Sequence, residues 1–80
     1  MRIGEAVRLR IEELCQQQDL TVNKLSNISG VTQSTVNNIV SGRNRSATIS
    51  TIKKLCDGFG ITIEQFFQSD LFRNLEQEIE

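Results

Sequence analysis

Between Thr21 and Ile39 the apolar spacing of Val22, Leu25 and Ile28 and then of Val36 and Ile39 predicts two short helices joined by only about three residues, Ser29, Gly30 and Val31. A connection of three residues with glycine inside it makes two short helices cross steeply. Ser26, four residues before the glycine, is small enough to let them approach closely. No other feature restricts the chain as strongly.

The rest of the sequence keeps the same period. Ile3, Val7, Ile11 and Leu14 recur every three or four residues and predict one core-facing stripe of a first helix running to about Gln18. Thr21, Thr32, Thr48 and Thr62 each precede an apolar-periodic stretch, where a hydroxyl accepts from the free amides of a first helical turn. The pairs Leu20 with Leu25, Val31 with Val36 and Ile61 with Phe66 have the spacing of hydrophobic staples, and Thr62 with Gln65 that of a capping box. Gly42 and Gly60 stand where the third and fourth helices should end. Val22, Leu25, Ile28, Val31, Val36 and Ile39 are expected to face the core, as are Ile49, Ile52, Leu55, Cys56 and Phe59 of the fourth helix and Ile63, Phe66 and Phe67 of a short fifth. Strand signals are absent, and 80 residues leave room for one core only. The fold class is therefore all-α with five helices. Leu71, Leu75 and Ile79, four apart behind Ser69 or Asp70 as a cap, predict a short sixth helix that packs on its own chain or on a second one. This divides the sequence into a helical domain over 1–69 and an acidic tail or helix over 70–80.

A net charge of −1 argues at first against a polyanionic partner, but its distribution does not. Residues 1–58 hold eight Lys/Arg and five Asp/Glu, a balance of +3, and residues 59–80 hold one Arg and five acids, a balance of −4. No apolar run approaches the roughly 18–20 residues of a membrane span, and the amphipathic, mixed-charge start does not resemble a signal peptide, so a cytoplasmic location is expected. Cys15 and Cys56 fit no zinc or CxxC spacing and are expected to be buried free thiols. With no histidine or tyrosine, and acids that do not gather on one segment, catalysis is not expected, and nothing calls for a cofactor, metal or small-molecule ligand.

The third helix, over about 33–41, separates into two faces. At 100° per residue Gln33, Asn37, Ser41, Ser34 and Asn38 share an arc of roughly 140°, whereas Ile39, Val36 and Val40 lie on the other side, between roughly 240° and 340°. An ordinary solvated face would carry Lys and Glu. This one carries amides and hydroxyls, which hydrogen-bond base edges in the major groove. Arg43, Asn44 and Arg45 follow at once, where a loop would meet phosphates, and the free first-turn amides of Val22, Asn23, Gln33 and Ser34, with Thr32 beside the latter two, suit anions as well.

The stretches RIEELCQQQDLTVNKLSNISGVTQSTVNNIVSGR and TISTIKKLCDGFGITIEQFF carry an L-T start before the second helix, the glycine turn and a closing G-I-T-hydrophobic run. Over roughly residues 7–67 the chain resembles the Cro and phage-repressor-like helix-turn-helix family, the XRE-type regulators. The resemblance implies a five-helix lambda-repressor-like fold whose third helix enters the major groove of double-stranded DNA. It further implies a homodimer on a palindromic operator, acting as a transcriptional repressor. On this likeness Gln33, Ser34, Asn37 and Asn38 read bases, and Asn23, Thr32, Arg43, Asn44 and Arg45 meet phosphates. The same fold also serves antitoxins and adaptors, for which the −4 tail would be a partner surface.

Three departures from that family's pattern stand out. Val22 occupies a position where glutamine often braces the first reader of the third helix. Cys15 and Val40 take the places of an arginine and a glutamate that commonly pair, which predicts an apolar contact between them. Ala47 replaces a proline, so the loop from Arg43 to Ser46 is expected to be more mobile.

Overall fold

The structure, a computed structural model, describes residues 1–79. Its α-helices are α1 (Ile3–Gln18), α2 (Val22–Ser29), α3 (Gln33–Val40), α4 (Ile49–Phe59) and α5 (Ile63–Phe67), followed by one 3₁₀ turn, Asp70–Phe72. Among the described residues there is no strand. The second helix packs against both α3 and α4, α1 against α3 and the 3₁₀ turn, and α5 against α4.

Local chemistry sets the boundaries. The hydroxyls of Thr21, Thr32, Thr48 and Thr62 accept from the backbone amides of Lys24, Thr35, Thr51 and Gln65 at 3.1, 3.2, 3.2 and 3.0 Å. At α5 the Gln65 side chain returns the bond, its Oε1 accepting from the Thr62 amide at 2.9 Å. Such caps contribute about 1 kcal/mol each, a large fraction of what an eight-residue helix needs. Gly60 closes α4 in the left-handed region, and Gly42 takes the same conformation just beyond α3.

The stripes meet in one core of Val7, Ile11, Leu14, Leu25, Val31, Val36, Ile39, Ile52, Leu55, Cys56, Phe59 and Phe66. No polar or charged residue is buried among those described. Phe66 is fully buried, and Phe67 and Phe72 close over it with ring centroids 4.8 Å apart. Arg10 ties α1 to the end of α5 by donating to the carbonyls of Phe66 and Gln65, at 2.7 and 2.9 Å, while pairing with Glu13.

Several expectations are corrected. Ile3, Ile28 and Ile49 are exposed, the last at 65%. Ile3 and Ile49 are the first residues of their helices, beyond the edge of the core. The second helix is turned so that Leu25 and the small Ser26 and Ser29 face inward, and Ile28 falls roughly 100° away from that face. Cys56 is buried, but Cys15 is only half-buried. Burial pushes both thiols above their usual pKa, aided at Cys15 by the Glu12 carboxylate. The sixth α-helix is replaced by the three-residue 3₁₀ turn, whose amide at Leu71 is capped by Ser69 at 3.2 Å. Seating Phe72 against the core fixes that turn, and Asn74, at φ 56°, then takes the left-handed conformation, so the helical spacing of Leu71 and Leu75 has no helix to run along.

Candidate nucleic-acid interface

The turn between α2 and α3 is held from both sides. Gly30 sits at φ 74° with open space around the position of a Cβ, so glycine is used there for its backbone freedom and not for room. Ser26 donates to the Val31 carbonyl at 2.6 Å, and the Val31 amide donates to Ser29 at 3.3 Å. Close approach is supplied elsewhere. A Cβ on Gly58 would lie 2.9 Å from the Ser29 Cβ, so the bare backbone of α4 is what lets α2 settle at this depth.

Burying Val36 and Ile39 leaves the opposite face of α3 in solvent. Gln33, Ser34 and Asn37 are exposed and Asn38 is half-buried. None of the four side chains hydrogen-bonds within the described chain, so their donors and acceptors face outward. The hydroxyl of Thr32 is engaged at the start of α3, accepting from the Thr35 amide and donating to the Thr35 hydroxyl at 2.8 Å. Asn23 is exposed in the first turn of α2. Val22 is half-buried against the core, so no amide braces Gln33 from that position.

The loop that follows is ordered by its own polar groups. The amide of Asn44 donates to the Asn38 carbonyl at 2.9 Å, and the Asn44 side chain accepts from the Ser46 amide at 2.9 Å, which turns the chain toward α4. Arg43 and Arg45 are both exposed, their Nε groups resting on the Ser41 hydroxyl and the Gly42 carbonyl at 3.1 and 3.3 Å. Of the residues named from sequence, Asn23 lies in the first turn of α2, Thr32 at the start of α3, Gln33, Ser34, Asn37 and Asn38 on α3, and Arg43, Asn44 and Arg45 in the loop that follows it.

Two contributors escaped the sequence reading. The ion pairs within 4.0 Å engage Arg2, Arg8, Arg10, Lys53 and Arg73, so among the described residues Lys24, Arg43, Arg45 and Lys54 have no carboxylate partner. Lys24 is exposed in the first turn of α2. The signal was available, because no acid occurs between Asp19 and Asp57 while five cations do. The second contributor is Gly4. A Cβ there would fall 2.5 Å from the Arg45 carbonyl oxygen, so the glycine is the seat on which α1 receives the loop. Nothing in the sequence distinguishes this glycine from an ordinary one.

Residues 11–66 match the family model described as Helix-turn-helix. The chain belongs to that helix-turn-helix family. It is 34% identical over 64 residues to the HTH-type transcriptional regulator PuuR of Escherichia coli (strain K12), and equally to that of Shigella flexneri. These matches cover 80% of the chain but only 34% of each relative, so the chain spans about a third of the length of the curated relatives it matches. Among solved structures it is similar to the prophage Lp1 protein 11, with 41% identity and a TM-score of 0.76, covering 86% of this chain and 92% of that one. The all-helical, lambda-repressor-like architecture inferred from sequence accords with this match. No described helix is long and apolar enough to cross a membrane.

Proposed function

We propose that the chain is a sequence-specific double-stranded DNA-binding module of a transcriptional regulator, acting as a repressor. The observation that carries this reading is the solvent face of α3, where four uncharged hydrogen-bonding side chains have no internal partner among the described residues and are followed by Arg43 and Arg45, which have no carboxylate partner among them either. Gln33, Asn37 and Asn38 offer the paired donor and acceptor that suit adenine, and Ser34 bonds either kind of base edge. Arg43, Arg45, Lys24, Asn23, Asn44 and the first-turn amides beside Thr32 set register by meeting phosphates. The name of the curated relatives, a transcriptional regulator, points the same way.

An eight-residue helix is only about 12 Å long and spans some three to four base pairs, too few to single out one site. A homodimer on a palindromic operator doubles the sequence read, and two copies of α3 about 34 Å apart place the half-sites roughly 10 base pairs apart.

Fluorescence anisotropy with a labelled duplex, titrated at several salt concentrations, tests the reading. Log affinity is expected to fall linearly with log salt, and Arg43→Ala and Arg45→Ala are each expected to lessen the slope by about 1. A salt-independent affinity, or slopes that neither variant changes, would exclude phosphate contact by this loop.

A further inference from the structure

The acidic segment beyond the 3₁₀ turn returns to the start of α1. The amide of Glu76 donates to the Met1 carbonyl at 3.0 Å, and Arg2 holds the segment twice, through the Glu78 carboxylate at 3.1 Å and the Gln77 carbonyl at 3.3 Å. That path brings Glu78 to the rim of a cleft of about 220 Å³ whose other wall is Asn44, Arg45 and Ser46. The loop is there because Gly4 seats it, so one small region joins the start of α1, an exposed cation that has no carboxylate partner among the described residues, and a carboxylate from near the other end of the chain.

A carboxylate lining the same cleft as an arginine proposed to meet phosphate has a defined electrostatic consequence, even while it pairs with Arg2. It offsets part of the cation's field at low salt and is screened at high salt, with a Debye length of about 10 Å at 0.1 M. Non-specific binding to DNA rests almost wholly on that field, whereas specific binding adds contacts to base edges that a carboxylate at this cleft does not touch. We propose that residues 75–79 are an acidic strap that competes with phosphate at the Arg45 loop and thereby suppresses non-specific DNA binding. This rests on the DNA-binding reading above and assigns a regulatory role to Glu76 and Glu78. The strap is held by exposed ion pairs, each worth well under what a phosphate contact returns, so it yields when a cognate site engages α3.

The test compares the wild type with the Glu76→Gln/Glu78→Gln double variant in the full chain. Two readouts are used: elution from immobilised heparin, a polyanion without sequence, and affinity for a non-cognate duplex at low and high salt. The double variant is expected to elute at higher salt and to bind the non-cognate duplex roughly fivefold tighter at low salt, the gain vanishing at high salt. A matched loss of charge away from the cleft, Glu64→Gln/Asp70→Asn, is expected to give a clearly smaller gain, and Arg45→Ala to abolish the gain from the strap variant. An equal gain from the matched control, or a gain that persists without Arg45, would overturn the proposal, as would no gain at all. The heparin arm decides the strap even if the wild type selects no DNA sequence, so failure of the strap and failure of the DNA-binding reading are distinguishable.

Discussion

Asn37 is exposed on α3 and its side chain makes no hydrogen bond among the described residues, so its removal tests recognition with little consequence for folding. Asn37→Ala is expected to cost about 1–3 kcal/mol of affinity for the preferred duplex and to relax preference at one base position, leaving non-cognate affinity unchanged. Competition binding with single-base variants of the site measures both. Gly4 tests positioning. Because an added Cβ meets a backbone oxygen and not a movable side-chain tip, Gly4→Ala is expected to displace the loop and weaken DNA binding several-fold more than Gly30→Ala, whose cost of about 1 kcal/mol is conformational. Denaturant midpoints measured beside binding separate the two effects. A Gly4→Ala variant with unchanged DNA affinity would remove the seat from the account.

The helices show where sequence is legible and where it is not. Boundaries written in local chemistry, four threonine caps, a capping box and left-handed glycines, appear where side-chain spacing places them. What depends on the third dimension did not: Ile28 and Ile49 have core periodicity but face solvent, and the tail has helical spacing but forms a 3₁₀ turn because Phe72 is drawn onto the core. Of the candidate interface, the exposed amide and hydroxyl face of α3 was legible because its period and polarity lie within one helix. The Gly4 seat was not, since it joins residues 41 positions apart through backbone proximity alone. At this scale the exchange of a commonly charged pair for Cys15 and Val40 is also testable, both side chains being half-buried against the core. Val40→Glu is expected to destabilise the protein by more than about 1 kcal/mol, because the new carboxylate has no cation opposite it at Cys15. Thermal melting checks this, and an unchanged midpoint would exclude the apolar contact.

For the whole molecule, the longest dimension is 36 Å, close to one turn of duplex DNA, and it presents a single α3. On the proposed reading one copy reads one half-site, and sedimentation of the protein with operator DNA is expected to report two chains per duplex. A complex that stays at one chain per duplex would restrict the module to a half-site. Charge is likewise unevenly spread: the net −1 conceals a balance of +3 over residues 1–58 and an acidic end whose Glu78 lines a cleft with Arg45. The central claim, that α3 selects a DNA sequence, is tested most directly by selecting bound duplexes from a random pool with the wild type and with Asn37→Ala in parallel. An enriched palindrome with half-sites centred roughly 10 base pairs apart is expected, with a defined change within each half-site for the variant. Recovery of no enriched sequence by the wild type, or of the same sequence by both proteins, would contradict it.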